Sequence, residues 1–242
     1  MKKIDRCPLS AHALRTLYRR QALVDGHPEP AARARVLWRQ RRNRAFMEIR
    51  DVLEHMATGR SRCMYCEDSE GTDIEHFYPK ATHPERAFAW ENYLLACSSC
   101  NSNYKRNEFP LNNANQPVLI DPTLDDPAHH LCLTPTTGRL VGLTERGECS
   151  IRICGLTRPI LNQGRRDAWV TLCVLIPRYA VYQRCGEVAN AEEIRETIRR
   201  FPFASALMHS EDSQCRGGRA TVWPWHRRSA LWFRLRIALG WR

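Results

Sequence analysis

The hydrophobic positions in the first quarter of the chain stand among charged residues at helical spacing. Ile49, Leu53 and Met56 are three or four residues apart, which places them on one face of a helix. Two prolines precede this stretch and Gly59 follows it, as is usual at helix boundaries. The pattern predicts one long basic helix over residues 31–56.

Strand-like patterns appear in the second half of the chain. Short apolar runs bounded by turn residues occur at residues 117–120, 131–133 and 139–141. Thr137-Gly138 is a plausible turn between the last two runs. This region is predicted to be a small hairpin.

The pattern becomes helical again after residue 157. Thr157 is a candidate N-cap and Pro159 suits the first turn, so a helix is predicted to run to about residue 182, before Gly186. A capping box starting at Asn190 predicts a second helix that stops near residue 202.

Four regions follow from these patterns. They are a basic helical region (1–62), a compact module rich in Cys, Asn and aromatic residues (63–110), a hairpin followed by helices (111–215) and a basic tail rich in Trp and Arg (216–242). The elements together predict an α+β fold that is mainly helical.

Composition adds a charge pattern to this picture. The chain has 242 residues, 43% of them hydrophobic, and a formal net charge of +11, a composition typical of a globular protein. Residues 1–62 carry 15 basic and six acidic side chains, residues 63–215 carry 15 and 20, and residues 216–242 carry seven and none. The two basic arms favour a polyanionic partner, nucleic acid first and an anionic membrane second.

Each basic arm has alternatives that remain open. The arginines of the predicted helix form either a solvated face or a binding surface; they are Arg33, Arg35, Arg39, Arg41, Arg42 and Arg44. The tail combines seven arginines with aromatic residues, so it either grips single-stranded nucleic acid or a protein, or is a poorly ordered extension.

No targeting or membrane segment is evident. The N-terminus lacks the apolar run of a signal peptide, and the apolar stretch at residues 168–176 is too short to span a bilayer. We therefore expect a cytoplasmic protein with no membrane association. In a reducing compartment, regularly spaced cysteines indicate metal binding or catalysis rather than disulfides.

Two regularly spaced cysteine pairs are present. Cys63-x2-Cys66 and Cys97-x2-Cys100 each place two thiolates on one turn, and together they complete the tetrahedral shell of a structural Zn²⁺ site. Four thiolates leave no open position, so this zinc is predicted to be a scaffold. The other seven cysteines show no such spacing.

The residues between and after the two pairs carry candidate chemistry. A carboxylate and an imidazole are adjacent at Glu75-His76, Asn92 lies between the pairs, and Asn101 follows the second pair directly. These residues resemble the HNH (ββα-metal) nuclease motif in its four-cysteine form. The resemblance implies two short strands and a helix: His76 would end the first strand, Asn92 would lie in the loop or second strand, and Asn101 would open the helix.

The resemblance also implies roles for these residues. His76 would be the general base that takes a proton from the attacking water. Glu75 and Asn101 would hold one Mg²⁺ or Mn²⁺, whose charge stabilises the reacting phosphate. Asn92 would tie the loop by hydrogen bonds and so orient His76.

Two lysines complete the candidate site. Lys80 and Lys105 are candidates for phosphate contacts, although each is also compatible with simple surface solvation. The implied activity is metal-dependent hydrolysis of phosphodiester bonds. DNA and RNA both remain open as substrates, because the motif contacts a phosphate and carries no evident base-reading code.

A wider resemblance reaches beyond the cysteine module. Strings such as Ile-Glu-His-Phe-x-Pro-Lys and Gly155-Leu156-Thr157-Arg158-Pro159 resemble the PtuB-type HNH subunits of Septu anti-phage systems, some of which accompany retrons. This implies a bacterial defence nuclease controlled by a PtuA-like ATPase of the ABC or SMC type. Where a retron is involved, its reverse transcriptase and RNA–DNA product would be further partners. The fold expected is α+β with a zinc-stapled ββα-metal core and a small hairpin.

The alternative from another class is a non-catalytic zinc module that binds nucleic acid or protein as a regulator. Such a module needs the zinc and the basic arms but not His76. A third hypothesis is a subunit that cleaves only when it is assembled with its partner.

Overall fold

The computed structural model describes residues 1–206, so the predicted basic tail (216–242) lies outside the described residues. The helices within this range are α1 (Ala11–Asp25), α2 (Pro30–Arg39), α3 (Arg44–Met56), α4 (Glu145–Ile153), α5 (Pro159–Cys185) and α6 (Val188–Arg200). The strands are β1 (Asp73–His76), β2 (Tyr93–Ala96), β3 (Leu131–Thr134) and β4 (Arg139–Gly142). This arrangement confirms a mainly helical α+β fold.

The single helix predicted over residues 31–56 is wrong, because residues 40–43 separate α2 from α3. Asn43 caps α3, since its side-chain oxygen accepts a hydrogen bond from the backbone N–H of Phe46. Arg20 of α1 donates two hydrogen bonds to carbonyls at the end of α2. These contacts stabilise two helix ends at a point that the apolar spacing alone does not reveal.

The hairpin was predicted correctly and the run before it was not. β3 and β4 pair antiparallel, with Thr134 opposite Arg139, and the turn between them contains Gly138. Residues 118–120 are buried, but the run 117–120 does not form a strand. The backbone N–H of Ile120 donates instead to the side chain of Ser150 in α4.

The last two helices start and end within about three residues of their predicted positions. α5 begins at Pro159 as predicted, although its N-cap is Arg158 rather than Thr157, and it ends before Gly186, whose φ is +72°. α6 begins at Val188, two residues before Asn190. The Asn190 side chain donates to Glu187 and does not cap the helix.

β1 and β2 form a two-stranded antiparallel sheet, and β2 belongs to one connected cluster of buried residues. His76 lies opposite Tyr93, and Asp73 lies opposite Ala96. Every residue of β2 is buried, so β1 is held against the core by a strand with no solvent-facing side chain. No helix within residues 1–206 is long and apolar enough to cross a membrane.

Candidate zinc cluster and active-site cleft

The four predicted cysteines come together in one buried cluster. The Sγ atoms of Cys63, Cys66, Cys97 and Cys100 all lie within 4.8 Å of one another. The sulfurs of Cys66 and Cys97 are 3.9 Å apart. A tetrahedral zinc with Zn–S bonds of about 2.3 Å separates its sulfurs by about 3.8 Å, so the cluster fits a structural zinc ion.

The short sheet brings the two cysteine pairs to the same place. Cys97 follows β2 directly, and the backbone N–H of Met64 donates to the carbonyl of Leu95 at 2.8 Å, which holds the first pair beside the same strand. The second pair leads into a π-helical turn, Ser99–Lys105. The metal site therefore fixes the start of the turn that carries Asn101.

Arg158 balances the charge of the thiolate cluster. Its Nη2 atom donates to the Cys100 sulfur at 3.5 Å. Burial lowers the pKa of Arg158, but the hydrogen bond to Cys100 and the attraction of the thiolates outweigh it and raise that pKa. The Arg158 guanidinium carbon lies 4.9 Å from the centroid of the Tyr104 ring, and Gly155 lets that ring pack against the backbone, because a Cβ there would lie 2.3 Å from it. The segment Gly155–Pro159 therefore packs against the turn that carries the second cysteine pair.

A cleft of about 520 Å³ lies beside the zinc cluster, between β1 and the turn joining α2 to α3. Four of the predicted site residues line it: Glu75, His76, Lys80 and Asn101. Asn92 and Lys105 are not among its lining residues.

His76 is held in one orientation and one tautomer. Its side chain is packed edge-on against Trp38 and Tyr93, with ring centroids 4.2 and 5.2 Å away. Nε2 is 3.0 Å from the carbonyl oxygen of Ala87. A carbonyl only accepts, so Nε2 carries the hydrogen and the lone pair of the neutral ring is on Nδ1. Burial, with a contribution from Lys80, lowers the pKa of His76 well below its usual value.

Glu75 forms a buried ion pair with Lys105. Lys105 Nζ is 2.6 Å from Glu75 Oε1 and donates to the backbone oxygen of His76 at 3.0 Å. The Lys105 side chain is 0% exposed. Burial raises the pKa of Glu75, and the ammonium group of Lys105 opposes this shift. The structure thus assigns Lys105 to the support of Glu75, in place of the phosphate contact predicted from sequence.

Replacing Lys105 with methionine is expected to lower the free energy of unfolding by about 3–5 kcal/mol, because it leaves the Glu75 carboxylate buried without its counter-ion. Chemical denaturation of the purified chain measures this change. The double variant Lys105→Met with Glu75→Leu should recover most of the stability, since it removes both charges. A single variant as stable as the original protein would contradict the buried ion pair.

Asn101 is oriented by Asp73, which no sequence motif indicates. Its Nδ2 atom donates to Asp73 Oδ2 at 2.9 Å. Because a carboxylate only accepts hydrogen bonds, this contact fixes the flip of the amide. Among residues 1–206, no side chain or backbone donor occupies Asn101 Oδ1. That oxygen and the Glu75 carboxylate line the same cleft, and both are oxygen ligands of the kind that Mg²⁺ prefers.

Asn92 lies outside the cleft and braces the loop after β1. Its Oδ1 atom accepts from the backbone N–H of Tyr78 at 2.6 Å, and its Nδ2 atom donates to the carbonyls of Tyr78 and Arg86. The backbone oxygen of Asn92 also accepts from Phe77 at 2.9 Å. These contacts hold Phe77 and Tyr78, the two residues directly after His76, in place.

Two features of the cleft were not found from the sequence. Asp73 and Glu75 share one face of β1 because side chains alternate along a strand, and this spacing was a usable signal. Trp38 and the arginines beside it come from a distant part of the chain, and no local pattern connects them with the cysteine module.

Sequence comparisons support the resemblance to PtuB-type proteins. The chain is 30% identical over 152 residues to a protein named Septu protein PtuB from Bacillus mycoides (strain KBAB4), covering 48% of this chain and 49% of that one. A second protein of that name, from Bacillus thuringiensis, is 33% identical over 76 residues, covering 29% and 28% of the two chains. The chain therefore matches about half the length of the first relative and less of the second. No protein-family model matches it.

Proposed function

We propose that this chain is a metal-dependent endonuclease that hydrolyses phosphodiester bonds of nucleic acid. One observation carries the proposal: the neutral imidazole of His76 lines the same cleft as the carboxylate of Glu75 and the oriented amide of Asn101. A base and two oxygen ligands beside a zinc-stapled turn are the parts that metal-assisted hydrolysis requires.

In the proposed reaction, His76 Nδ1 takes the proton of the attacking water. The hydrogen bond from Nε2 to Ala87 keeps the other nitrogen available as the base, and packing against Trp38 stops the ring from turning away. Mg²⁺ or Mn²⁺, held by Glu75 and Asn101, would supply charge stabilisation at the scissile phosphate. Lys105 favours the ionised form of Glu75, and Asp73 fixes the amide orientation of Asn101, so both act as positioning residues.

The names of the two relatives support a wider proposal. We place the chain in a Septu-type anti-phage system as its nuclease subunit, with a PtuA-like ATPase as its partner. The helices before and after the cysteine module would be the docking surfaces for this partner. A retron reverse transcriptase would join only where the system is linked to a retron.

Cleavage assays with and without a divalent cation test the nuclease proposal. The chain, alone and co-purified with a PtuA-like ATPase from the same bacterium, is incubated with DNA and RNA after removal of loosely bound metal. Cleavage is expected with Mg²⁺ or Mn²⁺ and not without them. Asn101→Ala should raise the Mg²⁺ concentration needed for half-maximal cleavage by at least about tenfold, since a ligand is lost.

Asn103→Ala is the matched control, because Asn103 is exposed on the same π-helical turn and does not line the cleft. It should leave the Mg²⁺ dependence unchanged. If the zinc-loaded complex cuts neither DNA nor RNA with any divalent cation, the nuclease proposal is wrong and the non-catalytic zinc module replaces it.

A further inference from the structure

We infer that the turn joining α2 to α3 forms, with Lys80, a phosphate-binding wall that holds the nucleic acid backbone across the cleft. The wall consists of Trp38, Arg41, Arg42 and Lys80, all of which line the cleft. The inference rests on the proposed nuclease function and adds a binding surface that lies outside the cysteine module.

Two separate elements bring these cations to one place. Arg41 and Arg42 lie in the segment between α2 and α3, whereas Lys80 lies in the loop after β1. The capping of α3 by Asn43 creates the turn that points this segment towards β1. A continuous helix over the same residues, as the sequence predicted, would not form this turn.

The Trp38 ring contacts two of the cations and also the candidate base, His76. The guanidinium carbon of Arg41 is 5.0 Å from the centroid of the Trp38 ring, and Lys80 Nζ is 5.5 Å from it. Both distances are within the range of cation–π attraction. The centroid of the same indole ring is 4.2 Å from that of the His76 ring. An anion drawn to these cations is therefore held next to His76.

The charges of the wall are available to a ligand. Arg41 and Arg42 are exposed and Lys80 is half-buried. Arg41 donates to the Trp38 carbonyl at 3.1 Å, but within residues 1–206 none of the three cations forms an ion pair with a carboxylate. Arg50, at the same cleft, pairs with Glu54 at 2.7 Å and donates to the carbonyl of Thr72, so its charge is already used. Like charges gathered without counter-ions attract a polyanion.

The position of the wall favours nucleic acid over an acidic protein. The wall shares its cleft with Glu75, His76 and Asn101. A protein partner seated on it would close the cleft, whereas a phosphodiester chain lying along it would present one phosphate to His76 and others to the arginines. Phosphate contacts of this kind position a substrate without reading its bases.

The salt dependence of binding tests the inference. The affinity for short fluorescein-labelled single-stranded and duplex DNA is measured by anisotropy at several NaCl concentrations, with no divalent cation added. The double variant Arg41→Gln with Arg42→Gln should bind more weakly. It should also reduce the slope of log affinity against log salt by about 1.4 for single strands or about 1.8 for duplex, the values for two lost phosphate contacts.

The matched control is Arg15→Gln with Arg19→Gln, which removes the same charge from exposed positions of α1 that do not line the cleft. It should leave the slope unchanged. Equal effects of the two double variants would overturn the wall, because only overall charge would then matter. The wall would also be overturned if the Arg41→Gln with Arg42→Gln variant bound DNA normally but no longer bound the ATPase partner. That result would show that the surface binds protein.

The nuclease proposal and the wall fail in different ways. Suppose that the original protein cleaves with Mg²⁺ but the Arg41→Gln with Arg42→Gln variant keeps the full slope of log affinity against log salt. The phosphate-binding wall is then wrong, and the nuclease proposal stands. If the original protein neither binds nor cleaves nucleic acid, both are wrong.

Discussion

Replacing His76 with alanine is expected to reduce cleavage by about 10²–10⁴-fold, the contribution typical of a general base. The variant should keep its zinc, because His76 is not a member of the four-sulfur cluster. Cleavage by the chain, or by its complex with the ATPase, measures the effect. Zinc content and the unfolding temperature show whether the protein is still folded.

This variant separates the nuclease from the non-catalytic alternative. His129→Ala is the control, because His129 is exposed and does not line the cleft. It should cleave as well as the original protein. A folded, zinc-loaded His76→Ala protein that still cleaves or still protects against phage would refute the assignment of His76 as the base.

Replacing Cys97 with serine is expected to remove the zinc and unfold the cysteine module. Zinc binding contributes about 10–16 kcal/mol of apparent folding free energy in zinc-finger peptides, which is as large as the whole stability of a typical domain. The protein should change from one bound zinc per chain to none. Metal analysis and circular dichroism measure the two effects.

Cys185→Ser is the matched control for this prediction, because Cys185 is exposed at the end of α5 and lies outside the cluster. It should keep one zinc and its full stability. A zinc-free Cys97→Ser protein with unchanged stability would show that the fold does not depend on the metal.

The two variants also distinguish scaffold from chemistry. Loss of His76 should remove activity and leave the fold, whereas loss of Cys97 should remove both. This difference follows from the geometry, because the four sulfurs would fill the tetrahedral shell of a zinc ion and leave no open position, while the candidate base lines a separate cleft.

Local patterns in the sequence determined several features of this protein. The spacing of the four cysteines predicted the metal cluster, and the position of His76 at the end of β1 followed from the motif resemblance. The hairpin and the start of α5 at Pro159 were also predictable. Apart from the meeting of the two cysteine pairs, which are 30 residues apart, these features depend on residues close together in the chain, where spacing and turn chemistry fix the geometry.

Only the tertiary structure decided what surrounds the candidate site. Lys105 follows the second cysteine pair and looked like a surface cation, yet the π-helical turn carries it beneath β1 to Glu75. Trp38 and Arg41 reach the cleft because α2 ends where a distant arginine and a local cap stabilise the break. Burial and charge pairing depend on which elements pack together, and a contact between residues far apart in the chain leaves no periodic signal in the sequence.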